Sequence, residues 1–205
     1  MRLIFLAFST LMLAQCASSD SDRFQVGAAS DALVIIGVAE HPEHRDPAYT
    51  MLWRRIDPHT GGFAEPDGDT VFDPSTNSDD SLRIRGIPGE FAVARLEPGV
   101  YGLGSVFAVI REGGVNYIAQ GLIEGPERPG FELRPGEAVY LGIWELSIDG
   151  AEAAARPWRF EQDDMRSVVR RARAVSGEVR MREPTTVSAV CDPERVSRLS
   201  QRRIC

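Results

Sequence analysis

The stretch FELRPGEAVYLGIWELSI, residues 131–148, sets two extended segments on either side of a Pro-Gly corner. FELR alternates, with Phe131 and Leu133 on one face and charged residues on the other, the period of a half-buried strand. AVYLGIWELSI carries apolar residues on both faces, Tyr140 and Trp144 against Val139, Leu141 and Ile143, which predicts a central strand covered on both sides. Proline presets φ at the first corner of a turn and glycine accepts positive φ at the second, so Pro135-Gly136 predicts a type II turn between the segments.

The same pattern runs outward through residues 32–149. IPGEFAV and EPGVYGL put Pro88-Gly89 and Pro98-Gly99 at strand entrances with the same turn expected, and REGGV (111–115) predicts a hairpin between VYGLGSVFAVI and VNYIAQGLIE. ALVIIGVA (32–39) is a continuous β-branched run suited to a buried strand; YTMLWRRI (49–56) and LRIRGI (82–87) read as further strands. Unbroken alternation in VYGLGSVFAVI puts Tyr101, Leu103, Phe107 and Val109 toward the core and Gly102, Gly104 and Ala108 on a thin face. Short turns between about seven or eight strands predict a mainly β chain, an antiparallel β-sandwich rather than a parallel α/β sheet.

FELRPGEAVYLG, with LEPGVYGL upstream, resembles a recurrent pattern in bacterial lipoproteins that carry a prealbumin-like or carboxypeptidase-regulatory-like sandwich. The resemblance covers roughly residues 32–149. It implies a fold and a setting, and brings no catalytic residues with it.

Residues 1–15 have the layout of an export signal: Arg2, an apolar run from Leu3 to Leu13, then small or polar residues before Cys16. The run is far shorter than the roughly 20 apolar residues a membrane-spanning helix needs, so removal after targeting is expected. Leu13-Ala14-Gln15-Cys16 resembles the lipobox of bacterial lipoproteins, with Gln15 where the pattern usually has Gly, Ala or Ser. That resemblance implies cleavage before Cys16 and lipid on its sulfur and its new amino group. It further implies a periplasm-facing anchor in the cell envelope, and Ala17 resembles signals that allow transport to an outer membrane. Residues 16–31 then form a small, polar tether, 32–150 the sandwich, and 151–205 a C-terminal region packed on it.

The chain contains three cysteines. With Cys16 lipidated, Cys191 and Cys205 make an even pair for an oxidising compartment. Asp192-Pro193 suits a helix start, but a straight helix to Arg203 would hold the two cysteines about 15 Å apart. A disulfide needs Cα atoms about 5.5–6 Å apart, so the expectation is two helical turns carrying Val196 and Leu199, then a return that brings Cys205 back.

Upstream, QDDMRSVVRRARAVSG spaces Met165, Val168, Val169 and Ala172 as the apolar stripe of a helix. Asp163 and Asp164 suit its positive end, and Gly177 its exit. EVRMRE and TTVSAV are expected to return to the sheet.

Charge divides the chain. Residues 17–155 hold ten arginines against 23 acids, net −13, whereas residues 156–205 hold twelve against seven, net +5. Docking of the basic tail on the acidic body accounts for this, with attraction to anionic lipid as the alternative. Nucleic acid does not suit an exported chain of this overall acidity.

No cofactor motif occurs. Asp67, Asp69 and Asp73, with Asn77, Asp79 and Asp80, supply oxygen ligands of the kind calcium takes, but Val71 occupies a ligand slot of the EF-hand spacing. His41 and His44 have Pro42 between them and, with His59, belong to loops rather than to a zinc-binding helix. Ser105, in GLGSVFA, lacks a nucleophile elbow. Trp53, Tyr101, Tyr117, Tyr140 and Trp144 have core phases; Trp158, in RPWRF, is the aromatic expected to be exposed and available for binding. The sequence therefore predicts a lipid-anchored, non-catalytic binding or structural module with a possible envelope-protein partner. The alternatives are a metal-dependent hydrolase using the acidic 57–80 loop, or a soluble periplasmic binding protein.

Overall fold

A computed structural model describes residues 23–43, 47–76, 78, 82–195 and 203–205. Cys16 and the expected export signal lie outside them. The first strands in chain order are β1 (Phe24–Gln25), β2 (Ala32–Glu40), β3 (Ala48–Arg55), β4 (Val71–Phe72), β5 (Leu82–Arg83) and β6 (Gly89–Leu96). The middle of the chain forms β7 (Gly99–Glu112), β8 (Val115–Leu122), β9 (Glu127–Leu133), β10 (Ala138–Asp149) and β11 (Glu152–Arg159). Helix α1 (Gln162–Ala172) follows, and then the short segments β12 (Val175–Ser176), β13 (Arg180–Met181), β14 (Thr185–Ser188), β15 (Glu194–Arg195) and β16 (Arg203–Ile204).

One sheet has the order β11-β10-β2-β6-β5, with β13 also on β10; the other has β14-β9-β7-β3-β4, with β8 also on β7. Their facing side chains meet in one core. Trp53 from the second sheet lies edge-on to Trp144 from the first at 5.3 Å, and Tyr101 stacks on Phe131 at 5.4 Å.

The first sheet is mixed rather than antiparallel. β2 runs antiparallel to β6 but parallel to β10, and β13 also joins β10 in parallel. Parallel neighbours need a long crossover, and strands buried on both faces supply the continuous apolar runs such a pair requires. ALVIIGVA and AVYLGIW are those runs. Their inner side chains join the inter-sheet core; their outer ones (Leu33, Ile35, Tyr140, Ile143) form a second cluster beneath Phe24 of β1 and Val168 of α1.

Two bulges overturn the simple alternation read from the sequence. Leu52 pairs with Ser105 and Trp53 with Leu103, so Gly104 is an extra residue on β7. Beyond it the phase reverses: Tyr101 and Leu103 point into the inter-sheet core, but so do Val106 and Ala108, in place of Phe107 and Val109. In β10 the register breaks between Tyr140 and Ile143 around Gly142, which has φ +81°. Tyr140 therefore faces the outer cluster and Trp144 the inner one, although period-two spacing puts them together.

Of the three Pro-Gly pairs, Pro135-Gly136 fits the type II turn, with φ +69° at the glycine. Gly89 and Gly99 instead begin β6 and β7 at φ +155° and +152°, and a Cβ on Gly89 would lie 2.3 Å from the Val38 carbonyl oxygen. REGGV closes the β7–β8 hairpin, with Glu112 opposite Val115 and positive φ at Gly113 and Gly114, the geometry of a type I′ turn. LRIRGI is shorter than expected: only Leu82–Arg83 pairs, though Ile84 is buried in the outer cluster.

Helix α1 lies on the outer face of the first sheet with Asp163 and Asp164 in its first turn. Its exit is Arg173, in the left-handed region at φ 50°, not Gly177, which lies further on against Val26. EVRMRE contributes β13 to the first sheet and TTVSAV β14 to the second, so the tail crosses from one sheet to the other.

Cys191 and Cys205 are disulfide-bonded, with Cα atoms 4.7 Å apart. The chain returns as expected, but the helix predicted from Pro193 is absent among the described residues. Glu194 pairs with Ile204 and Arg195 with Arg203 in an antiparallel ladder, because paired strands can bring both ends of a segment together where a straight helix holds them apart. Val196 and Leu199 lie outside the described residues.

Candidate functional site

A groove of about 810 Å³ runs beside α1 and is lined by arginines and acids from three parts of the chain. Arg159, at the end of β11, grips Asp164 in the first turn of α1 through Nε and one Nη at 2.6 and 2.8 Å. Arg166 approaches Asp163 at 3.4 Å. Arg85 and Arg170 line the same groove and make no ion pair with any described residue. Acids thus gather at the start of the helix, whereas residues 165–173 hold four arginines and no acid. Asp164→Ala should lower stability by roughly 1–2 kcal/mol in urea denaturation, because it releases a half-buried bidentate guanidinium and a carboxylate at the helix's positive end.

Arg159 also joins this groove to a second one. Its guanidinium stands over the Trp158 ring at 5.7 Å, and Trp158, 47 % exposed, lines a recess of about 270 Å³ with Leu141, Ile143, Pro157, Phe160, Glu183 and Pro184. The exposure expected of Trp158 is present. Gly142 shapes the wall: a Cβ there would sit 2.9 Å from the Arg159 carbonyl oxygen. Tyr140, stacked on Phe160 close by, is fully buried, and its hydroxyl has no hydrogen-bond partner among the described residues. Burial and the nearby Asp164 push that phenol well above its ordinary range. Tyr49, buried near Glu40, is pushed up to about 12.

The acidic loop uses two of its carboxylates, those of Asp57 and Asp67, for its own folding. Asp67 Oδ1 accepts from Gly68 N at 2.8 Å, and Thr70 Oγ1 accepts from Asp67 N at 2.9 Å, a reciprocal cap on the 3-10 turn Gly68–Thr70. The Asp69 carbonyl accepts from the buried Tyr101 hydroxyl at 3.0 Å, docking the loop on β7. Asp57 accepts from His59 N at 2.8 Å, which holds its carboxyl below the usual range. Asp73 is exposed after β4. No three His, Cys, Asp or Glu side chains converge among the described residues; His44, Asn77, Asp79 and Asp80 lie outside them. Ser105 is buried in mid-strand, away from the grooves.

Two arginines are buried where the tail meets the second sheet. Arg128 donates to the carbonyls of Gly125 and Ala189 at 2.5 and 2.8 Å, and Arg54 to that of Ala64 at 2.5 Å. Both guanidinia stand over Phe63, at 4.9 and 5.2 Å. Burial lowers the pKa of each; carbonyl dipoles and the ring offset the desolvated charge of Arg128, and Arg54 has the carboxylates of Glu65 and Glu194 nearby as well. Cys205 Sγ lies within 3.9 Å of Arg128, so this cluster secures the disulfide end of the chain.

Sequence reasoning missed the tip of the β7–β8 hairpin. Val115, Tyr117 and Ile118 are exposed there, Tyr117 at 53 %, although Tyr117 has a core phase. The signal was its nearness to Gly113-Gly114: residues beside a hairpin turn reach past the edge of the core. Comparison of this chain with known protein families, with characterised proteins and with solved structures finds no match.

Proposed function

We propose that the protein is a lipid-anchored component of the bacterial cell envelope whose β-sandwich, of the prealbumin-like or carboxypeptidase-regulatory-like type, is a non-catalytic binding or structural module. The supporting observation is the cysteine arrangement. Cys191 and Cys205 are bonded to each other, which leaves Cys16 as the odd thiol in a chain suited to an oxidising compartment, and Cys16 directly follows an apolar export run in a lipobox-like sequence. The sandwich reading rests on the two sheets sharing one core. The non-catalytic reading rests on the spending of Asp57 and Asp67 carboxylates on loop caps and on the burial of Ser105. The domain faces the periplasm, and Ala17 favours the outer membrane of a Gram-negative cell.

Intact-mass analysis of the protein purified from membranes tests the anchor. The expected mature chain begins at Cys16 and carries acyl groups, and Cys16→Ala moves the protein out of the membrane fraction. An unmodified amino terminus at any other residue would overturn the reading.

A further inference from the structure

We infer that the arginine-rich C-terminal half of α1 is the face this protein lays against an anionic phospholipid surface. The inference rests on the lipid anchor proposed above and adds the orientation of the domain.

Its first support is where the chain enters the fold. Phe24 N donates to the Ala174 carbonyl at 2.8 Å, and β1 pairs with β12, so the polypeptide arriving from Cys16 joins the domain one residue past the Arg173 cap of α1. From Cys16 to Phe24 the backbone spans at most about 28 Å even when fully extended. Anchored lipid therefore keeps the end of α1 close to the headgroups, on the outer layer of the molecule, with the second sheet on the far side of the first.

Charge supplies the second. Arg166, Arg170, Arg171 and Arg173 are exposed with no acid among residues 165–173, and Arg85 stands across the groove. Docking of the tail on the acidic body does not consume them. The body's ion pairs to the tail use Arg156 with Glu145 and Arg182 with Glu137, while Arg171 donates to the Arg83 carbonyl and Arg170 and Arg173 pair with no described acid. Asp20, Asp22 and Asp31 in the tether, offset in part by Arg23, and Asp163 beside Arg166 oppose the attraction, leaving four helix arginines and Arg23 against four acids, with Arg85 across the groove adding to the basic side. Residues 17–155, net −13, are repelled by the same surface, so the molecule is polarised to stand with the helix toward the bilayer. Screening over about 8 Å at physiological salt confines the attraction to groups at the surface, and the short tether raises the frequency with which α1 comes within that range.

The test uses the full-length Cys16→Ala chain, which cannot take acyl groups at that position, and phosphatidylcholine vesicles with and without phosphatidylglycerol. The apolar run of residues 3–13 binds either vesicle, so the readout is the ratio of the two partition coefficients. That ratio should exceed one, fall as salt is added, and drop roughly five-fold for each arginine removed in the triple variant Arg166→Gln, Arg170→Gln, Arg173→Gln. Arg111→Gln, on the second sheet, should leave it unchanged, and circular dichroism should show both variants folded. A ratio of one, an unchanged triple variant, or preference for soluble polyglutamate over the vesicles would overturn the inference. The anchor is read separately from the intact mass: an unacylated native chain that keeps the arginine-dependent ratio sinks the anchor and supports the basic face.

Discussion

Replacing Trp53 with alanine should lower the unfolding free energy by about 3–5 kcal/mol, read as a shifted midpoint in urea denaturation at unchanged slope. Trp53 is fully buried on β3 and touches Phe131 of its own sheet at 5.1 Å and Trp144 of the facing sheet at 5.3 Å. Truncation removes the ring that fills the space between the sheets, and neighbours held in two ladders can collapse only partly into the void. A domain of this kind has only about 5–15 kcal/mol of stability in all, so the loss is a large share of it. Trp53 Nε1 has no hydrogen-bond partner among the described residues, so Trp53→Phe keeps most of the apolar contact, relieves an unpaired donor, and should cost no more than about 1.5 kcal/mol. Trp158 is half exposed and lies under the Arg159 guanidinium, so Trp158→Ala should cost only about 1 kcal/mol. If Trp53→Ala and Trp158→Ala behave alike, the inter-sheet core is wrongly placed.

The contrast between these tryptophans also shows what the sequence could and could not convey. Trp158 stands beside a proline in a charged stretch, and its exposure was legible because nothing around it could cover it. The burial of Trp53 was equally legible, from its core phase in the strand YTMLWRRI. What alternation could not convey was phase beyond a bulge. Gly104 and Gly142 each add a residue that flips every later side chain to the other face, so Phe107 and Trp144 went to the wrong sides on paper. A lone glycine in a strand is ambiguous between a thin face and a bulge, and only the partner strand's register resolves it. The parallel β2–β10 pair was hidden for a related reason: the two runs are a hundred residues apart, and local turns carry no information about long-range pairing. The groove beside α1 was half visible. Helical spacing gave the stripe and its arginines, but Arg85 and Arg159 reach them through tertiary packing alone.

Removing the disulfide with the double variant Cys191→Ala, Cys205→Ala should cost about 3 kcal/mol, and reducing agent should do the same to the parent chain while leaving the variant unaffected. The bond closes a loop of sequence separation 14, and opening it returns to the unfolded chain the freedom that closure denies it, a term of about 3 kcal/mol on the chain-entropy account. The native state has little to offer in compensation. Among the described residues β15 and β16, two residues each, form a ladder only with one another; Arg203 is also held by the Gln120 side chain, which accepts from its N–H and donates to its carbonyl, but so short a ladder is not stable in water without a covalent tie. The damage should nevertheless stop short of the sheets. Ala189 is held by Arg128 and by its own N–H to the Pro126 carbonyl, and β14 is paired along its length with β9, so the chain up to that point keeps its place. Amide exchange should therefore accelerate at Arg195 and Arg203 in the variant while Thr185–Ser188 remain protected. Acceleration through β14 as well would mean that the bond, rather than Arg128 and the β9 ladder, holds the tail against the second sheet.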